Sequence, residues 1–132
     1  MLDKRKLGST DIEVSVLGFG SAPLGDIYEY LDDGSAVSTV ETAAQLGITF
    51  FDTAPLYGQG IAEHRVGIGL RRAKSKQYML STKVGRLLKP APHGRTKTSR
   101  FVGGLDFDIV HDYSYDGVMR SLEHSLMRLG VP

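Results

Sequence analysis

The period of apolar and polar residues changes several times along the chain. Residues 4–7 and 12–16 are two short strand-like stretches on either side of Gly8-Ser9-Thr10-Asp11, a cluster of turn formers, which predicts an opening hairpin. Val16-Leu17-Gly18-Phe19-Gly20 is a short, mostly apolar run bounded by glycine, the form taken by a buried parallel strand. The period then lengthens. Val37, Val40, Ala44 and Leu46 recur at helical spacing, with Ser35 placed to cap the helix and Gly47 placed for a left-handed C-terminal residue. Ile48-Thr49-Phe50-Phe51-Asp52 reads as a second buried strand, residues 62–73 as a helix with Val66 and Leu70 four apart, and residues 78–82 as a third strand.

From about Gly85 to His111 the pattern is dominated by Gly, Pro and basic residues, and its length predicts a functional excursion rather than a compact connector. Asp112 or Ser114 then caps a helix in which Val118, Leu122, Leu126 and Leu129 form one apolar stripe, closed by Gly130 and Pro132. Strands alternating with helices make parallel βα units. The expected fold class is α/β: an N-terminal hairpin and about three βα units, the N-terminal part of a (β/α)8 TIM barrel. Such a barrel has eight units over about 250 residues. The expected domain is therefore 1–132 as a partial barrel ending before its fourth strand. Its two open sheet edges predict association or dependence on the rest of a barrel.

Composition narrows the function classes. The chain is 41% hydrophobic and 23% charged, and 16 basic against 15 acidic residues leave a formal charge of +1, too little field to favour a nucleic acid. There is no cysteine, hence no disulfide, no thiolate nucleophile and no cysteine-based metal site. The charged start leads into no apolar run of membrane-spanning length. A cytoplasmic enzyme acting on a small molecule is the expectation, with neither membrane nor nucleic acid as partner.

The candidate chemistry lies at strand ends. Asp52 closes the second strand and Lys83 follows the third, so both emerge on the C-terminal rim, where α/β barrels build active sites. Tyr57 lies five residues beyond Asp52, on a connection that Pro55 stiffens and Gly58 lets turn. A phenol has an ordinary pKa near 10, too high for easy proton exchange near neutrality. An ammonium within about 4 to 6 Å favours its ionised form, and a carboxylate behind the ammonium keeps that charge in place. The three residue types together suit a general acid or base. Each alone has a plainer reading: a capping Asp, a packing Tyr, a solvated Lys.

The strings Leu17-Gly18-Phe19-Gly20, Phe51-Asp52-Thr53-Ala54-Pro55-Leu56-Tyr57-Gly58, residues 63–70 and Ser81-Thr82-Lys83-Val84-Gly85 resemble the aldo-keto reductase superfamily in order and spacing. The closing run of residues 121–130 resembles that family's helix before its fourth strand. Asp112-Tyr113-Ser114-Tyr115-Asp116-Gly117-Val118 is similar to the branch containing aldose 1-dehydrogenases, for L-fucose or D-threo-aldose, and pyridoxal 4-dehydrogenase. The resemblance implies a tetrad of Asp, Tyr, Lys and His, of which Asp52, Tyr57 and Lys83 match three, and a nicotinamide cofactor, NADP or NAD. It places Gly20, Ser21, Ala22 and Asp52 on the nicotinamide side. The implied histidine falls beyond Pro132. None of His64, His93, His111 or His124 matches it; the first and last are expected within helices, His93 in the long loop and His111 before a helix cap.

Other features have simpler explanations. Gly58-Gln59-Gly60 begins like a dinucleotide fingerprint but lacks its last glycine and its βαβ setting. Gly67 and Gly69 suit close helix packing, and Arg71, Arg72, Lys74 and Lys76 a solvated basic face at a helix end. No metal site is expected. The resemblance implies an NAD(P)-dependent oxidoreductase interconverting an aldehyde or hemiacetal, of sugar or pyridoxal type, with its reduced or oxidised partner. Two alternatives are an inactive fragment of such an enzyme and a cofactor-binding regulatory module similar to the potassium-channel beta subunits of the same superfamily.

Overall fold

Gly8, with φ of 60°, turns the chain between β1 (Lys4–Lys6) and β2 (Glu13–Ser15), which pair antiparallel with Lys4 opposite Ser15. The computed structural model describes residues 2–74, 77–95 and 100–132. After the hairpin come β3 (Phe19–Gly20), β4 (Phe50–Asp52) and β5 (Met79–Ser81), a parallel sheet in that order. Gly20, Asp52 and Ser81 stand side by side at one level of it. The strands are shorter than the apolar runs suggest. Just before the β3–β4 ladder, Ser15 and Thr49 replace backbone bonds with side-chain ones: each backbone N–H donates to the other's hydroxyl at 2.9 Å.

A short 3-10 turn, Ala22–Gly25, leads toward α1 (Asp33–Gln45). Asp32, not Ser35, caps this helix. Its carboxylate accepts from Gly34 N at 3.0 Å and Ser35 N at 2.7 Å, so the helix starts earlier than its apolar stripe alone predicts. Val37, Val40 and Ala44 are buried as expected, whereas Leu46 is 70% exposed just past the helix end.

Next comes α2 (Ile61–Ala73), which packs between α1 and the last helix, α3 (Tyr115–Leu129). Its glycines explain how closely. A Cβ on Gly67 would lie 2.0 Å from Leu129 O, and one on Gly69 2.6 Å from Val40 Cβ. Phe51, Val40, Val66, Leu70 and Leu129 are the centre of the core, each at most 1% exposed.

The stretch expected as a loop from Gly85 to His111 contains a second hairpin, β6 (Arg86–Pro90) paired antiparallel with β7 (Phe107–His111). His111 is thus the last residue of a strand. Of the two candidate caps for α3, Ser114 is the one: its Oγ accepts from Gly117 N at 3.1 Å, while Asp112 accepts from Ser114 N and Oγ. Gly130, with φ of 67°, ends α3 by donating to Leu126 O at 2.8 Å.

Candidate active site

Asp52 and Lys83 meet where the strand pattern puts them, on the rim at the C-terminal ends of the parallel strands. Lys83 Nζ donates to Asp52 Oδ1 at 2.7 Å and to Thr53 O at 2.8 Å. The other carboxylate oxygen, Asp52 Oδ2, accepts from Ser81 Oγ at 2.9 Å. Side-chain exposures of 45% for Lys83 and 36% for Asp52 leave the pair open to solvent, so it adds only about 0–1 kcal/mol to stability. Its effect is placement: one ammonium held by two acceptors, facing outward.

Tyr57 joins them from the β4–α2 connection. The lysine ammonium lies 5.2 Å from the centroid of the Tyr57 ring. That connection begins with Thr53 N donating to Ser81 O at 2.9 Å, then turns at Tyr57, whose N–H donates to Ala54 O at 3.1 Å. Gly58, Gln59 and Gly60 all have positive φ, so the glycines of the fingerprint-like string are explained by backbone geometry at a sharp helix entry. The Tyr57 ring also packs against Phe101, 6.1 Å between centroids.

The residues expected on the nicotinamide side line the same rim one strand over. Gly20 is exposed, and a Cβ there would meet nothing within 4 Å, which leaves open space beside Asp52. Ser21 is fully buried; its N–H donates to Asp52 O at 3.0 Å, and its hydroxyl has no hydrogen-bond partner among the described residues. Thr53 Oγ1 is buried and unpartnered in the same way. Ala22 is half-buried at the start of the 3-10 turn. An open floor next to a carboxylate, edged by unsatisfied hydroxyls, fits a flat amide-bearing ring.

Several supports have no counterpart in the sequence pattern. Ser81 is one; its register opposite Asp52 is the signal that could have found it. Glu63 is another. Fully buried on α2, it accepts from Thr82 Oγ1 at 2.8 Å and from Arg128 Nε at 2.6 Å, tying the residue before Lys83 to two helices. A third is Arg65, buried against Asp26. Burial works against its charge, but hydrogen bonds to Asp26 and Asp33 more than offset this, and its proton is held more tightly than in an ordinary guanidinium.

The histidines lie apart from this site as far as their described contacts go. His64 and His124 are on helices, His93 is exposed, and His111 stacks on Tyr113 with 6.1 Å between centroids. In the basic cluster, Arg72 and Lys74 are exposed as expected, whereas Arg71 donates to Leu129 O and locks the end of α3; Lys76 lies outside the described residues. No group of three metal-ligating side chains occurs among the described residues. No described helix is long and apolar enough to cross a membrane.

The chain is similar to several known proteins. Pyridoxal 4-dehydrogenase of Microbacterium luteolum is 45% identical over 98% of the chain, D-threo-aldose 1-dehydrogenase of a Pseudomonas species 35% identical over 91%, and L-galactose dehydrogenase of Arabidopsis thaliana 35% identical over 97%. The chain spans between 34% and 40% of the length of these relatives. Among solved structures, the holo form of aldo-keto reductase AKR11C1 from Bacillus halodurans matches 99% of the chain and 37% of its own, with a TM-score of 0.71 and 32% identity. Glycerol dehydrogenase AKR11B4 from Gluconobacter oxydans matches 98% of the chain and 36% of its own, also with a TM-score of 0.71, at 27% identity. The fold is thus α/β, an N-terminal hairpin and three βα units of the (β/α)8 barrel. A match to the Aldo/keto reductase family covers residues 16–132, and the chain belongs to that family.

Proposed function

We propose that Tyr57, Lys83 and Asp52 are catalytic residues of an NAD(P)-dependent oxidoreductase acting on a small aldehyde, hemiacetal or sugar, or on pyridoxal. The observation that carries this is the Lys83 ammonium, anchored at 2.7 Å on Asp52 and standing 5.2 Å from the Tyr57 ring. The names of relatives such as pyridoxal 4-dehydrogenase and D-threo-aldose 1-dehydrogenase support the substrate class.

A nicotinamide, when bound, supplies or accepts the hydride. Gly20, Ser21, Ala22 and Asp52 would hold it, the open space at Gly20 receiving the ring. Tyr57 donates its phenolic proton to the substrate oxygen in reduction and takes the hydroxyl proton in oxidation. Negative charge on the phenol oxygen is stabilised by Lys83, and Asp52 and Thr53 O keep that ammonium from swinging into solvent. Ser81 orients Asp52.

Turnover followed by nicotinamide absorbance tests the reading. Residues 1–132 are grafted in place of the matching segment of the Microbacterium luteolum enzyme, and pyridoxal and aldoses are supplied. Tyr57→Phe is expected to lower turnover by at least about 10²-fold, as loss of a proton-transfer group does; undiminished turnover overturns the role. The 132 residues alone are expected to bind NADPH weakly, because they carry only the nicotinamide-side residues of the implied site. Micromolar binding in a calorimetric titration would refute that.

A further inference from the structure

Tyr57 and Gly58 rest directly on Gly25. A Cβ on Gly25 would stand 2.6 Å from Gly58 N, 2.6 Å from the Tyr57 carbonyl carbon and 3.0 Å from the Phe101 ring, and one on Gly58 would stand 2.5 Å from Gly25 O. Backbone lies on backbone here, so a displacement of Gly25 passes to Tyr57 with no side chain between to absorb it.

One guanidinium holds both neighbours of Gly25. Arg65 Nη1, reaching from α2, donates to Leu24 O and to Asp26 Oδ1, each at 2.6 Å. Its Nη2 donates to Leu31 O at 2.8 Å and its Nε to Asp33 Oδ1 at 2.9 Å, so one side chain fastens the whole β3–α1 connection. The side chains of Arg65 and Asp26 are 4% and 5% exposed. Asp26 adopts φ of 61°, a conformation that L residues rarely take without being held. Its carbonyl accepts from Val102 N at 2.9 Å, which seats the neighbouring Phe101 against Tyr57. The helix itself has no need of this arrangement: Ala62, Val66 and Leu70 already bury its core face.

We infer that Arg65 and Asp26 are positioning residues for Tyr57, their buried ion pair fixing Gly25, and Gly25 with Phe101 fixing the phenol ring beside Lys83. The functional consequence rests on the proposed role of Tyr57; the placement does not. Lysine could not substitute for Arg65, since a single ammonium lacks the planar fork that reaches four acceptors at once.

The test is nuclear magnetic resonance of the 132-residue chain with isotopically labelled tyrosine rings. Six tyrosines give six signals, and Tyr57→Phe identifies one by its loss. In Arg65→Met and in Gly25→Ala the Tyr57 signal is expected to move and its Overhauser contact to Phe101 to vanish. The Tyr78 signal, from the residue just before β5, is expected to stay. Asp26→Asn keeps the shape and an acceptor, so a smaller displacement is expected there. A Tyr57 signal and Phe101 contact unchanged in folded Arg65→Met overturn the inference. Should circular dichroism show that variant to be unfolded, Asp26→Asn decides in its place, because Arg65 retains Leu24, Leu31 and Asp33 as partners; an unmoved Tyr57 signal there overturns the inference equally. Failure of the acid-base reading is separate: it appears as undiminished turnover in Tyr57→Phe.

Discussion

Lys83 reaches three groups at once, and each does something different to it. Asp52 supplies opposite charge, Thr53 O supplies direction, and the Tyr57 ring lies with its centroid 5.2 Å from the ammonium. Ser81 acts one step further out, through Asp52 Oδ2. Ser81→Ala is therefore expected to weaken the grafted enzyme modestly. One partly exposed hydrogen bond to a charge, at about 1 kcal/mol, corresponds to roughly fivefold in turnover with little change in melting temperature. A loss as large as that of Tyr57→Phe would contradict this.

His64 contributes a pH dependence of stability whose cause lies in its surroundings. Burial, and then the positive charge of Arg128, disfavours its protonated form, with Glu63 acting in the opposite sense and Arg71 adding to the effect. The folded state thus releases the proton more readily than the unfolded state. Below about pH 6.5 the unfolded chain binds more protons, and stability falls as the pH falls through that range. Denaturation midpoints measured above and below that pH should differ less in His64→Gln than in the parent chain; an equal dependence would remove His64 as the cause.

The helices show where intrinsic preference yields to packing. Alanine is a better helix former than glycine by about 1 kcal/mol, so propensity alone would make Gly67→Ala stabilising. Its new methyl would instead stand 2.0 Å from the Leu129 carbonyl oxygen, and pushing α2 off α3 costs about 1–3 kcal/mol. The steric term wins: Gly67→Ala should lower the melting temperature measured by circular dichroism. Asp32→Ala should lower the melting temperature by stripping the N-cap of α1, whereas Ser35→Ala leaves that cap in place.

Those same elements explain how much the chain reveals before it folds. Asp52 and Lys83 are legible because buried parallel strands advertise themselves as apolar runs, and a charged residue at such a run's C-terminal end has to emerge on the rim. The cap of α1 is not, because Asp32 and Ser35 are both good caps, and only the bonds to Gly34 and Ser35 distinguish them. The hairpin of β6 and β7 is hidden because Pro90 and the surrounding glycines and cations conceal a weak alternation in Phe107-Asp108-Ile109-Val110. The Arg65–Asp26 pair joins residues 39 apart with no local pattern to announce it. Contacts fixed by tertiary geometry alone leave no period in the chain.

At the scale of the whole molecule, Val16, Leu17, Val84 and Met127 are among the large apolar side chains left exposed. Among the described residues β3 and β5 each pair on one side only. Beside β5 runs a groove of about 600 Å³, formed by Leu7, Phe50, Leu80, Val84, Leu122 and Leu126 among others. Exposed apolar surface next to an unpaired strand edge favours association. Sedimentation of the 132-residue chain is expected to show concentration-dependent self-association that Leu122→Lys reduces; a monomer at every concentration would contradict this.

The shared level of Gly20, Asp52 and Ser81 also limits how this sequence can evolve. Neighbouring residues of a strand face opposite ways, so in β4 the wholly buried Phe51 and the rim-facing Asp52 are adjacent. Adding or deleting one residue within that strand would exchange them, turning a carboxylate into the core and a phenyl ring onto the rim in a single event. Length variation in this part of the protein is thereby confined to the connections.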